Sequence, residues 1–258
     1  MRRRKTVELT LNRIYGEYHK RELVEPDPLQ VLYRYPDPGD REIIGLISSS
    51  LALGRVNSIL KSIKQILQEL PSPRSDLFEW KEDDIRYRFR DFRYRFYSGE
   101  DLADLLISIK HAIEDQGSLN GLFLRGYKEK DETVLPALNV FIKELNREKR
   151  LKMLADPSRN SACKRLMLYM RWMIRKDSID PGGWTGVSTS KLIIPLDTHM
   201  LKVASLLKLT ERKDGGMKTA LDITSTLRKY DSADPVRFDF SLTRPGIHPA
   251  LDYSVFGD

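Results

Sequence analysis

Residues 160–209 read NSACKRLMLYMRWMIRKDSIDPGGWTGVSTSKLIIPLDTHMLKVASLLKL, and the fold follows from how this stretch divides. Leu166, Met170, Met173 and Ile174 recur at helical spacing, so the chain from Lys164 onward is a helix with an apolar inward face. Lys164 stands in its first turn, Ser161 is a suitable N-cap, and Lys164, Arg165, Arg171, Arg175 and Lys176 are expected on its other faces. The loop DPGGWTGVSTS and the apolar run Leu192 to Pro195 then lead to Asp197 at the start of a second helix carrying Met200, Val203, Ala204 and Leu207. Elsewhere too the apolar residues keep the helical period, and no stretch alternates over strand length. The protein is expected to be mostly or wholly α-helical.

With 258 residues the chain can bury a sizeable core in one domain or two lobes. Its 40% hydrophobic and 31% charged content is that of a globular protein, and no run approaches the ~18 apolar residues of a membrane span. The basic start MRRRKTVELTL lacks an apolar signal region, so a cytoplasmic location is expected, and no membrane partner. One cysteine, Cys163, excludes an internal disulfide, and four scattered histidines lack ligand spacing, so neither a metal nor any other cofactor is expected. A net charge of +7 favours polyanions such as nucleic acid, yet lies within what solubility alone explains. No particular protein partner is evident.

Along the chain, Val7, Leu11, Ile14, Tyr15 and Tyr18 predict a first helix, and the proline-marked residues 25–39 a connector. Asp40 is a plausible cap for a helix with Ile43, Ile44, Leu46, Ile47 and Leu51; Gly54 separates it from another that Pro71 stops. In residues 85–97, IRYRFRDFRYRFY, the arginines shift phase while Ile85, Phe89, Phe92 and Phe96 hold a helical stripe, so a helix with an aromatic buried face is predicted. Interleaved aromatic and basic residues can also form a stacking surface for single-stranded nucleic acid. Ser98 and Asp101 have capping-box spacing ahead of the next helix. Thr133 is placed to cap a helix with Pro136 in its first turn, a further helix is predicted around Leu221, Thr224 and Leu227, and the tail beyond Pro235 is read as irregular.

An amine and a carboxylate at two helix starts can perform covalent catalysis. Only the free amine is nucleophilic, which a helix N-terminus and neighbouring Arg165 favour, and an anionic carboxylate stabilises an oxocarbenium-like carbon. The other reading is a solvated helix-start lysine and an N-capping aspartate. The pattern alone leaves both open.

A short connection ending in small residues, a lysine opening a helix and the segment LDTHMLKVASLLKL resemble the helix-hairpin-helix DNA glycosylase/AP lyase superfamily, whose signature pairs a lysine with a downstream aspartate. The separation here, 33 residues, is similar to that of the archaeal 8-oxoguanine DNA glycosylases. With SACKRLMLYMRWMIRKDSIDPGGW and IIPLDTH, most of the chain resembles DUF2400, a bacterial family of uncharacterised proteins related to that superfamily. The resemblance implies an all-α, two-lobed helical bundle of the helix-hairpin-helix DNA glycosylase type, one structural unit over 1–258, with 41–177 as the central lobe and 1–40 plus 178–258 as the other. It further implies base-excision repair, with Lys164 as Schiff-base nucleophile, Asp197 as the stabilising carboxylate and damaged duplex DNA as partner.

Residues 158–162 would hold a phosphate, with Arg159, Asn160, Ser161, Arg165, His199 and Lys202 toward DNA. Ser158, Arg159 and Asn160 stand where that superfamily's hairpin has glycines, and the Gly215–Gly216 turn before Lys218 comes too late in the chain to replace it. A flipped base would meet Ser49, Ser50, Asn57, Phe123, Trp172 or Trp184. Two other functions stay open: a non-catalytic nucleic-acid-binding module on the same scaffold, and a helical interaction protein.

Overall fold

The computed structural model describes residues 2–148, 151–159 and 161–256. It is mostly helical. Helix α1 (Arg2–Tyr18) turns its Leu11 and Ile14 inward, and after a cis Glu25–Pro26 bond the predicted connector instead winds a 3₁₀ segment, Pro28–Arg34, capped by Asp27. Helix α2 (Pro38–Ser50) has Pro38 in its first turn and is capped by Asp37 rather than Asp40, because the Asp37 carboxylate accepts the Asp40 amide three residues on. Gly54, at φ +107°, turns the chain into α3 (Val56–Glu69), which buries Ile59, Ile63, Ile66 and Leu67 along one face. Two short helices follow, α4 (Pro73–Glu79) and α5 (Glu82–Phe89).

The aromatic–basic stretch departs from its predicted helix. Helix α5 ends at Phe89, and the chain folds into a two-stranded ribbon, β1 (Arg93–Tyr94) with β2 (Tyr97–Ser98), Tyr94 facing Tyr97. The helical stripe holds through Ile85, Phe89 and Phe92, all buried, and fails at Phe96, which is 68% exposed at the ribbon tip. Arg93 outward and Tyr94 inward on one strand face Ser98 and the inward Tyr97 on the other, an alternation over a length too short to register as a period.

Beyond it, Ser98 and Asp101 form the expected capping box of α6 (Gly99–Gln116), and α7 (Leu119–Leu124) and α8 (Leu135–Leu145) complete this part. Thr133 contributes a weaker turn bond to Leu135, while Val134 occupies the cap position of α8. Helices α6, α7 and α8 pack on one another, and α2 packs on α9 (Lys164–Ile174). Helix α9 starts where predicted, but its N-cap is Cys163 in a left-handed conformation, φ +48°, not Ser161.

After α9 a long loop leads to α10 (Thr198–Leu206), α11 (Met217–Arg228) and α12 (Asp239–Ile247). The last overturns the reading of an irregular tail: α12 is buried on nearly every side, so it has no amphipathic period, and it carries Pro245 inside. It packs against α1 and α10, so both ends of the chain meet. No helix among the described residues is long and apolar enough to cross a membrane.

Candidate functional site

A cleft of about 760 Å³ opens between the start of α9, the start of α10, α12, the α2–α3 turn and the Pro26–Pro28 segment. Its walls mix apolar side chains, Leu53, Val56, Ile59, Leu168 and Ile247 among them, with a few charged groups, the composition of small-ligand sites. A groove of about 820 Å³ between the 3₁₀ segment and α3 is larger, but among the described residues its lysine, Lys64, forms no ion pair with the glutamates that share its lining, Glu22 and Glu25. The chemistry therefore points to the first.

Lys164, Leu168 and Arg171 line it because residues at i, i+4 and i+7 share one helix face. Lys164 Nζ stands 3.3 Å from Asp197 Oδ2, with the lysine side chain about one-third exposed and the aspartate largely covered. Asp197 Oδ1 accepts the Met200 amide at 2.9 Å, which caps α10 and fixes the carboxylate so that its second oxygen faces the amine. Helix packing thus brings the two residues together across 33 positions of sequence.

Beneath the pair lies a buried ionic network that the sequence reading missed. Arg171 and Arg175, expected on solvated faces, are buried: Arg171 Nε bonds Asp180 at 3.1 Å and its Nη1 holds Asp239, while Arg175 holds Asp180, Asp177 and Asp234. Burial alone would lower the pKa of each guanidinium, but the carboxylates around them, Asp180 first, raise both. Burial pushes the Asp239 carboxyl up to about 6 against the pull of Arg171, with Asp197 and Asp180 acting in the same upward direction. Its Oδ1 has no hydrogen-bond partner. Nearby, Arg244 on α12 reaches Asp27 at 2.7 Å across the cleft. Of these groups only Arg171 carried a signal, its i+7 relation to Lys164; Asp27, Asp239 and Arg244 come from distant segments with no spacing to mark them.

The remaining predicted residues scatter. His199 lines the cleft, and its Nδ1 is bonded to the Tyr253 hydroxyl at 2.8 Å, while Lys202 Nζ sits 3.7 Å over the Tyr253 ring. Arg165 is a tie within the fold, from α9 to the Ser50 carbonyl and the Tyr97 hydroxyl. Arg159 is exposed and pairs with Asp156 at 3.5 Å. Ser161 accepts the Cys163 amide and bridges by backbone to Gly216, whose neighbour Gly215 lines the cleft. Asn160 lies outside the described residues.

The residues expected around a flipped base do not gather there. Ser49 and Ser50 are buried and donate to the Leu46 carbonyl, which uses up their hydroxyls inside α2. Phe123 and Trp184 belong to a core aromatic cluster with Phe141 and Tyr169, and Trp184 Nε1 donates to Glu42. Trp172 is 1% exposed on the inner face of α9, and Asn57 is exposed beside Val56. Apolar residues of α3, α9 and α12 occupy the walls instead. Among the described residues no three of His, Cys, Asp and Glu are placed to hold a metal ion.

A lysine amine held against a capped carboxylate, in an interhelical cleft over a buried ionic floor, defines an all-helical protein with the makings of an amine–carboxylate site. The chain belongs to the family described as protein of unknown function (DUF2400), whose model matches residues 27–248 and so spans every cleft-lining segment except the Pro26 edge. No curated protein and no solved structure matches it.

Proposed function

We propose that this chain is a DNA base-excision repair glycosylase and AP lyase of the helix-hairpin-helix type, with an oxidised purine such as 8-oxoguanine as the class of base removed. The observation that carries the reading is the 3.3 Å approach of Lys164 Nζ to Asp197 Oδ2 at the mouth of the cleft. Lys164, as the free amine, adds to C1′ of the damaged nucleotide as the bond to the base breaks. The amine proton passes to Asp197 and on to the departing base, and the carboxylate faces the positive charge that develops on the sugar. Ring opening leaves an iminium between Lys164 and C1′; loss of the C2′ proton expels the 3′ phosphate, and water then frees the lysine. The net result is a released base and a nicked strand.

The cleft volume lies within the ~300–1,000 Å³ of small-molecule sites, room for one nucleotide turned out of a duplex. The non-catalytic module draws on a different observation: among the described residues no helix lies between Leu145 and Lys164, so the approach to the lysine is a loop without the glycines that let a phosphate close on the backbone. Incubation with labelled duplexes carrying 8-oxoguanine, other damaged bases or an abasic site separates the two. Base release and strand nicking that disappear in Lys164→Ala support the enzyme; binding that weakens with salt, with every lesion left intact, supports the module.

A further inference from the structure

The ribbon β1–β2 presents two features that the cleft chemistry does not use. Its loop has two residues, Arg95 and Phe96, and Arg95 adopts φ +55°, a left-handed conformation that glycine occupies far more easily at the first position of such a loop. Phe96, the other, is 68% exposed, with its ring edge against Tyr97 at a centroid distance of 4.6 Å. Strain of this kind persists only where the surroundings hold it, and it collects at working surfaces.

The ribbon is held at the lip of the cleft. The Tyr94 hydroxyl donates to the Leu53 carbonyl, and the Arg95 guanidinium lies over Gly54, so close that a Cβ there would come within 2.5 Å of Nη1. Leu53 and Gly54 are cleft-lining residues. From the other side Arg165, next to Lys164, donates to the Tyr97 hydroxyl at 2.9 Å. The exposed ring is therefore fixed beside the cleft.

Its surroundings are basic. Residues 85–97 hold five arginines against one aspartate, and neither Arg93 nor Arg95 has an acidic partner among the described residues. Arg93 Nη1 donates to the Arg90 and Phe92 carbonyls, so the charge of both arginines stays without a carboxylate beside the tip. A single rigid ring on such a basic ribbon is too small an apolar surface for docking a folded protein, but it matches the face of one base whose phosphates meet that charge.

We propose that the Arg95–Phe96 tip is a stacking platform for an unpaired base of the DNA strand that runs into the cleft, with Phe96 against the base and Arg93 and Arg95 on the flanking phosphates. This rests on the DNA reading above and adds the strand's contact point outside the reacting nucleotide. Three variants test it by fluorescence anisotropy with a short, lesion-free, single-stranded DNA oligonucleotide. Phe96→Ala weakens binding by about 5- to 150-fold, the range of a lost base–aromatic stack, and Phe96→Trp restores it. Arg95→Gly raises the thermal midpoint by relieving the left-handed strain, yet lowers affinity, two effects that a purely structural residue would not separate.

Wild-type affinity retained by Phe96→Ala, or affinity that Phe96→Trp does not restore, overturns the platform. The lesion assay above keeps the two ideas apart. Nicking that depends on Lys164 together with unchanged Phe96→Ala binding leaves the enzyme standing and removes the platform; stacking-dependent binding with no nicking on any lesion does the reverse. A wild-type protein that binds no DNA overturns both.

Discussion

Replacing Arg171 with methionine removes the only cation paired with Asp239 among the described residues. The arginine is 4% exposed, bonds Asp180 at 3.1 Å and holds the fully buried Asp239, whose other oxygen is already without a partner. Asp180 keeps Arg175; among the described residues Asp239 keeps no cation. Attraction between unit charges 3.1 Å apart, at an effective dielectric of about 20, is about 5 kcal/mol, and desolvation already offsets much of it in the folded protein. Stranding the buried partner carries the known cost of a broken buried pair, about 3–5 kcal/mol, out of a usual total of about 5–15. Chemical denaturation followed by circular dichroism should show a midpoint drop of that size in Arg171→Met, recovered for the most part in Arg171→Met/Asp239→Leu, where no charge is left uncompensated. A single variant within about 1 kcal/mol of wild type, or a double variant no better than the single, would refute the view that this pair ties α9 to α12 beneath the site.

Three further changes follow from the same geometry. Asp239, with its carboxyl raised from 3.8 to about 6, keeps a proton in the folded protein that the unfolded chain has lost across that interval, so its contribution to stability is full below 3.8 and declines by about 3 kcal/mol as pH rises through 6. Asp239→Asn should therefore lack this decline, seen as the difference between urea midpoints at about pH 4 and about pH 7; an unchanged pH profile counts against the assignment. Gly54→Ala places a side chain at φ +107° and against the Arg95 guanidinium, and thermal melting should show a loss of about 1–3 kcal/mol. Glu42→Ala deprives the Leu119 and Asn120 amides and the Trp184 indole of their buried acceptor, with an expected loss of about 3–5 kcal/mol and a shift in tryptophan emission; a stable variant with unshifted emission would show that this acceptor is replaceable.

The helical character and the places of Lys164 and Asp197 at two helix starts could be read from the sequence because each is written locally, as an apolar stripe along α9 and an aspartate one residue before a helix; that the two residues form a pair came from the family resemblance, since nothing local joins positions 33 apart. Helix α12 could not, since a segment buried all round has no polar face to create a period. Arg171 and Arg175 were placed on the outer faces of α9 because charge implies exposure, whereas Asp180 and Asp177 just after the helix and Asp234 and Asp239 from a distant segment together allow their burial, and no helical period marks any of the four. The ribbon failed for a third reason, that two residues per strand are too few to show alternation. Ser49, Ser50, Phe123, Trp172 and Trp184 belong to residue types that serve pockets and cores alike, and only packing assigns them to the core.

Reductive trapping with borohydride on a duplex containing an abasic site, followed by mass spectrometric mapping of the adduct, asks whether the amine in the cleft is the nucleophile. The geometry of Lys164 and Asp197 predicts a covalent protein–DNA species with the modification on Lys164, lost in Lys164→Ala and much reduced in Asp197→Asn. An adduct mapped to another lysine, or one that persists undiminished in Lys164→Ala, would contradict it.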